Sequence, residues 1–349
     1  MFAEKLKDIF NWTPDDICRK IYTIDAHTEG EPLRVIVAGL PELKGNSVLE
    51  KRKYIKENFD DLRKALMWEP RGHSDMYGCI ITPPFSTEAD FGVIFTHNEG
   101  YSTMCGHGII GVTKVVLETG FIKMEEALTT IKIDSPAGLV TAFAKIENQK
   151  VQSVYFHNVP SFVYSLNQQV DVEGIGNVKY DIAFGGAFYA FVDAESVGLT
   201  CTPDKLKYLI DVGMRIKHAV MKKDEIIHPF ENDLNFLYGT IFIGPPINEK
   251  SDSRNVCIFA DGEVDRSPTG TGVSARMALH YKRGEIKIGQ KMVIESILGT
   301  TFTGSINSTT TFGDYDAVIP EVEGKAFITC KNEFIINPED NLKYGFLLK

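Results

Sequence analysis

The chain carries one order of short motifs twice, and that duplication limits what it can fold into. Met104-Cys105-Gly106-His107-Gly108 returns as Pro268-Thr269-Gly270-Thr271-Gly272, an offset of 269 − 105 = 164 residues. Phe95 and Phe259 precede the aligned Cys105 and Thr269 at equal distance, and Gly120 and Gly284 follow them at equal distance. Further out, Asp75–Pro84 resembles Phe236–Pro246 with one inserted residue, and Ile131–Gly138 echoes Met292–Gly299. Gly30–Val37 matches Gly185–Val192 more loosely. Because the matched pieces keep their order, the pattern is a two-unit duplication and not a solenoid of short repeats.

Each unit reads as short strands punctuated by glycine and proline, with one helix among them. In the first, Ile109, Val112, Val115 and Val116 form an apolar stripe that Ile110 and Leu117 widen. In the second, Val273, Ala275, Met277, Ala278 and Leu279 do the same. Both helices are nearly apolar all round at their N-terminal halves, the signature of a helix enclosed by sheet. Gly120 and Gly284 suit the left-handed residue that ends a helix. The expected class is α/β (α+β), with two pseudo-symmetric lobes. The first spans residues 1–148, including an amphipathic extension over 1–20; the second spans 149–335, and residues 336–349 return to the first lobe. The polar stretch Asn148-Gln149-Lys150 marks the junction. With no low-complexity linker there, the lobes are expected to pack closely around a cleft.

At 349 residues the chain suits two cores of ordinary size. A formal charge of −10 speaks against nucleic acid or an anionic membrane as partner. A small anionic substrate would then bind at helix N-termini. No apolar run reaches the roughly 18–20 residues of a membrane span. Met1 to Lys20 is charged throughout and lacks a signal-peptide core; Phe2, Leu6, Ile9 and Phe10 fit a short amphipathic helix lying on the body. The six cysteines show no paired spacing, and Cys79 and Cys257 sit in strand-like apolar runs. A reducing, cytoplasmic setting is the expectation.

A cysteine directly ahead of Gly-x-Gly and a helix start meets unpaired backbone N–H groups and the positive end of a helix dipole. Both favour thiolate, so Cys105 is expected to ionise below the usual value of about 8.5. The bland alternative is a buried structural cysteine. The mirrored turn at Thr269 favours the functional reading, because two helix N-termini aimed at one spot make an anion site flanked by Cys105 and Thr269. His107 is open to three roles: pairing with Cys105, orienting a carboxylate, or capping the helix. Asp265 either holds a substrate ammonium or bonds local amides, and Arg266 reads as a loop-packing or ion-pairing side chain.

Other motifs fail. Gly270-Thr271-Gly272 lacks the Lys-Ser/Thr of a P-loop and the third glycine of a dinucleotide fingerprint. His27 and His73 belong to no zinc spacing and read as solvated or hydrogen-bonded loop residues. There is no Gly-x-Ser-x-Gly elbow.

The segments Asp25-Ala26-His27-Thr28-Glu29-Gly30-Glu31-Pro32-Leu33-Arg34, Arg71–Gly78, Met104–Gly108 and Asp265-Arg266-Ser267-Pro268-Thr269-Gly270-Thr271-Gly272 together resemble the signatures of the proline racemase family. The resemblance runs from about residue 20 to the C-terminus. It implies the diaminopimelate-epimerase-like fold, with a sheet wrapped around a central helix in each lobe and the site between them. It also implies independence from pyridoxal phosphate and from metal, and a homodimer. By motif, Cys105 matches the base and Thr269 the position facing it. Gly106, His107, Gly270 and Thr271 match the carboxylate-binding turns, and Asp265 the contact to the ring amine. Racemases and epimerases of the family carry cysteine at both places; the Cys/Thr pairing resembles the trans-3-hydroxy-L-proline dehydratases.

Chemistry supports that distinction. A two-base racemase takes the Cα proton on one face and returns another on the opposite face, which needs two groups of similar acidity. A threonine hydroxyl is too weak an acid, so a carbanion-like intermediate needs another exit, and loss of an adjacent hydroxyl provides one. Two alternatives stand beside this expectation: an isomerase with an unrecognised second base, and a non-catalytic imino-acid binder, which would need only the amides.

Overall fold

The computed structural model describes residues 2–348, and the sequence duplication is a duplication of strand pairing. Strand Arg19–Thr28 runs antiparallel to Glu31–Ala38, which lies parallel to Tyr77–Thr82. Tyr77–Thr82 pairs antiparallel with Phe91–His97, itself parallel to Ala127–Ser135; Gly138–Glu147 and Lys150–His157 follow as a meander. The second half repeats each step. Gly176–Phe184 is antiparallel to Phe188–Asp193, which is parallel to Leu237–Gly244. Ser253–Phe259 comes next, then Met292–Glu295 parallel to it, then Thr301–Phe312 and Tyr315–Gly324. The three sequence echoes fall on equivalent strands, including the loose match of Gly30–Val37 to Gly185–Val192.

Parallel neighbours require a crossover, and the crossovers carry the helices. The first parallel step encloses helices Val48–Asn58 and Asp60–Met67 in one half and Leu206–Lys223 in the other. The second encloses the central helices, Gly106–Glu118 and Gly270–Lys282. The halves also exchange an edge. The last strand, Ala326–Ile336, pairs along Arg19–Thr28 of the first half, in the place that Ser161–Val172 holds against Gly176–Phe184 of the second. Lys150–His157 pairs with Tyr315–Gly324 across the join, so all strands form one continuous sheet.

The sheet wraps the central helices, as their all-round apolar character predicts. Every residue from Gly106 to Leu117 is buried, as is every residue from Gly270 to Leu279. Ile109, Ile110 and Val116 share one apolar cluster with Leu33, Phe95, Ile131 and Phe156, and Val273, Met277 and Phe302 extend it into the second half. That continuity leaves little freedom in how the two helix tips face each other. Gly120 and Gly284 end the helices at φ 76° and 72°, their N–H groups donating to the carbonyls of Leu117 and Tyr281.

One expectation is corrected. Phe2–Phe10 is a helix, but it does not lie on the body: Phe2 and Ile9 are 77% and 71% exposed, and Leu6 is exposed too. The side chain of Phe10 lies outside the described residues. Helices Val48–Asn58 and Asp60–Met67 pack on Ile21, Ile36, Ile80 and Ile94 of the neighbouring sheet, so that apolar surface is covered without helix Phe2–Phe10. Among the described residues no helix is long and apolar enough to cross a membrane.

Candidate active site

The tips of the central helices meet glycine to glycine. A Cβ built on Gly106 would lie 2.8 Å from Gly270 Cα, and one on Gly270 would lie 2.8 Å from Gly106 Cα. No side chain fits that contact, so the first-turn amides of both helices, which have no intrahelical acceptor, converge on one place. There a cavity of about 360 Å³ opens between the halves, of a size for a small ligand. Cys105, Gly106 and His107 line it from the first half; Asp265, Thr269, Gly270 and Thr271 line it from the second. All seven residues singled out in the sequence are therefore brought together.

Cys105 caps its helix in extended conformation, φ −149°, and its sulfur accepts the Gly108 N–H at 3.3 Å. A Cβ on Gly108 would sit 2.9 Å from that sulfur and 2.6 Å from the Phe95 ring, which explains the second glycine of the motif. The expected lowering of the thiol's pKa is not what the fold produces. Burial raises it well above the ordinary value; the Gly108 amide and the Tyr77 hydroxyl pull it back, and the charges of Asp265 and Glu31 push it up again. Loss of water around the sulfur outweighs the helix dipole here.

His107 Nδ1 stands 3.3 Å from Cys105 Sγ, the pairing among its three open roles that the geometry displays. Burial lowers the imidazole to about 3, so it is neutral at physiological pH. Its backbone carbonyl accepts from Thr28 Oγ1, which fixes the tip of the helix to the first strand.

Thr269 holds the matching place under strain. Its φ is +68°, a region that a β-branched residue seldom adopts, and its buried hydroxyl lies against the Asp265 carboxyl and the Cys257 thiol, where it opposes the upward push of burial on both. Thr271 Oγ1, by contrast, pairs with the Tyr189 hydroxyl at 2.7 Å. Of the two readings offered for Asp265 the structure displays the local one, Oδ1 accepting the Ser267 N–H at 2.8 Å, and it places the residue on the cavity wall. Burial raises its pKa to about 6, with Ser267 opposing. Arg266 is an ion-pairing residue, with its guanidinium 3.2 Å from Asp75.

Several lining residues escaped the sequence reading. Glu31 lies inside a stretch quoted for its resemblance, yet no role attached to it. Cys257, a buried strand residue as expected, also lines the cavity from the Thr269 side, and burial followed by the charge of Asp265 raises its thiol well above the ordinary value. The duplication held a signal for both. At the 164-residue offset Cys257 answers to Val93, and within the loose match Glu31 answers to Gly186, so each is a polar departure between copies. Tyr77 answers to Tyr238, and both rings line the cavity. Among the described residues no group of three or more His, Cys, Asp or Glu is placed to hold a metal ion.

The chain is similar to known proteins over nearly its whole length. Residues 23–347 match the family model described as proline racemase. A trans-3-hydroxy-L-proline dehydratase of Colwellia psychrerythraea is 51% identical, over 94% of this chain and 93% of its own length. A proline racemase of Clostridioides difficile is 43% identical, over 95% of this chain and 99% of its own. Among solved structures, a hydroxyproline epimerase from Agrobacterium vitis with bound trans-4-hydroxy-L-proline superimposes with a TM-score of 0.87 at 32% identity, covering 95% of this chain and 96% of that one.

Proposed function

The chain belongs to the proline racemase family, and on that premise we propose that it is a hydro-lyase removing water from trans-3-hydroxy-L-proline to give Δ1-pyrroline-2-carboxylate. The observation that carries this reading is the pair of facing caps. Cys105 supplies a thiol as the cap of one helix, and the matching cap of the other is the hydroxyl of Thr269.

The substrate carboxylate sits on the converging amides of Gly106, His107, Gly270 and Thr271, with Asp265 taking the ring ammonium. Burial is the main cause of the raised Cys105 thiol, and that ammonium offsets a lesser one, the charge of Asp265. Cys105 then removes the Cα proton, and the amides stabilise charge spreading onto the carboxylate. Removing one preorganised donor of this kind commonly costs about 10²–10³-fold in rate. The electrons of the broken C–H bond form the C2–C3 double bond as the 3-hydroxyl departs. In the trans isomer that hydroxyl lies on the same ring face as the Cα hydrogen. The thiol that has just gained a proton can therefore return it to the departing oxygen, giving water. The enamine left behind becomes the imine by moving its N–H proton to C3.

The test is to incubate the protein separately with trans-3-hydroxy-L-proline, trans-4-hydroxy-L-proline and L-proline in deuterated water and identify products by mass spectrometry and chiral chromatography. Loss of water from the first alone is the expected result. Deuterated, inverted substrate would identify an isomerase instead. Cys257 is the specific observation that keeps that second reading in view, since it is a thiol on the Thr269 side of the cavity. If inversion occurs and C257S abolishes it, Cys257 is the second acid. The family also implies a homodimer, and the unpaired cysteines a cytoplasmic setting, which analytical ultracentrifugation and cell fractionation test.

A further inference from the structure

Glu31 opens the second strand of the first half, just after the Glu29-Gly30 turn, and is completely buried. Its Oε2 accepts the backbone N–H of Arg266 at 2.7 Å, with the Arg266 guanidinium at 3.9 Å. Its Oε1 is buried with no hydrogen-bond partner, and the residue lines the cavity that holds Cys105 and Asp265. A buried carboxyl oxygen without a partner is costly, so its persistence needs a cause.

We propose that Glu31 Oε1 is the second acceptor for the ring ammonium of the substrate, so that the cleft reads both N–H bonds of a secondary ammonium, one through Asp265 and one through Glu31. The inference rests on the imino-acid reading of the site given above. A protonated ring nitrogen carries two donors, and a single carboxylate oxygen satisfies one. Arg266 follows Asp265 directly in the chain, so the amide that anchors Glu31 also sets it beside Asp265. The two carboxyls sense each other: burial, and after it the charge of Asp265, raises Glu31 well above the ordinary range. Three carboxyls, Glu31, Asp75 and Asp265, surround Arg266, and the guanidinium alone does not balance them. A bound ammonium supplies the missing positive charge. The second half has no counterpart to this acceptor, because the matching position is Gly186.

The experiment is a binding cycle by calorimetry at pH 7.5 on the full chain, wild type and E31Q, with L-proline and with tetrahydrofuran-2-carboxylate of the same configuration. The second ligand keeps the ring and carboxylate but replaces the N–H donors with an ether oxygen. In E31Q the one amide oxygen can serve Arg266 or the ring nitrogen, not both. L-proline affinity is expected to fall roughly 10- to 100-fold, the range for a hydrogen bond to a charged group. Affinity for the ether is expected to stay level or rise. Equal losses for both ligands would mean that Glu31 only shapes the Arg266 loop, and would overturn the proposal. Should E31Q fail to fold, E31D, whose carboxyl is one methylene short, must show the same selective loss; L-proline binding unchanged from wild type overturns it. The readout needs no turnover, so a protein that binds L-proline but dehydrates nothing would refute the hydro-lyase reading alone. A wild type that binds neither ligand would overturn both.

Discussion

The two helix tips meet in one glycine contact and differ at their caps, in side chain and in backbone. Gly106 and Gly270 meet in mutual contact, and Tyr77 and Tyr238 line equivalent places. Against that shared frame the first tip carries a hydrogen-bonded thiol in relaxed extended backbone. The second carries a hydroxyl on a strained residue, beside the Asp265 carboxyl. His107 touches the thiol, whereas Thr271 turns to Tyr189. The two copies therefore keep the glycine contact alike and diverge in the side chains set on either side of it.

The sharpest way to break the comparison is to exchange the chemistry at the two caps. C105S should lower kcat by about 10²–10⁴-fold, the scale of a lost general base, with the circular dichroism spectrum unchanged. T269S should keep most of the activity. Comparable losses at the two positions, measured by steady-state kinetics, would mean that the caps share the proton transfer. T269C restores a facing thiol and should add slow Cα inversion of L-proline, read as deuterium incorporation with change of configuration.

Next in size comes the shared frame. An added methyl at Gly106 or Gly270 meets the opposite Cα at 2.8 Å, so G106A and G270A must each push the tips apart. Misplacement on the ångström scale costs about 10²-fold, and both variants should lose kcat/KM to a similar degree. A large loss at one position only would show that the carboxylate leans on a single helix.

The fold and the seven facing residues were legible because duplication converts local pattern into long-range information. Two Gly-x-Gly turns with equal flanks have to sit in equivalent places, which puts Cys105 and Thr269 on opposite walls. Glu31 was illegible because a lone acidic residue in a strand carries no sign of which oxygen is left unpaired. The failed expectation for the Cys105 thiol has a related cause. The helix dipole can be read from sequence, but the depth of burial that outweighs it depends on how tightly two distant segments close. Helix Phe2–Phe10 was correctly periodic, yet periodicity says nothing about whether a vacant face awaits it.

A smaller effect separates the caps through pH. The Asp265 carboxyl has a folded value of about 6 against an ordinary 3.8. Between those values the folded protein binds more protons than the unfolded one. The contribution of Asp265 to stability is therefore fully present below about 4, is lost as pH rises toward 6, and stays lost above that. D265N should remove this dependence and stabilise the ligand-free protein by ~1–3 kcal/mol at pH 7.5, even as it weakens L-proline binding. Urea melts at pH 4.5 and 7.5 measure it; a variant less stable than wild type at both would show that the carboxyl's bond to Ser267 matters more than its burial.

The smallest effect concerns the backbone itself. Thr269 occupies φ +68°, where glycine is at ease and a β-branched residue costs of order 1–3 kcal/mol. T269G relieves that strain but loses a buried side chain and makes the unfolded chain freer, a cost of about 0.5–1 kcal/mol for the backbone alone. The terms oppose each other, so T269G should stay within about 1 kcal/mol of wild type in a urea melt. Cys105, at φ −149°, has no strain to relieve, and its sulfur accepts the Gly108 N–H. C105G should therefore lose ~1–2 kcal/mol, combining flexibility with a lost cap. If the two glycine variants lose stability equally, the strain at Thr269 is not stored in its backbone, and the two caps differ in side-chain chemistry alone.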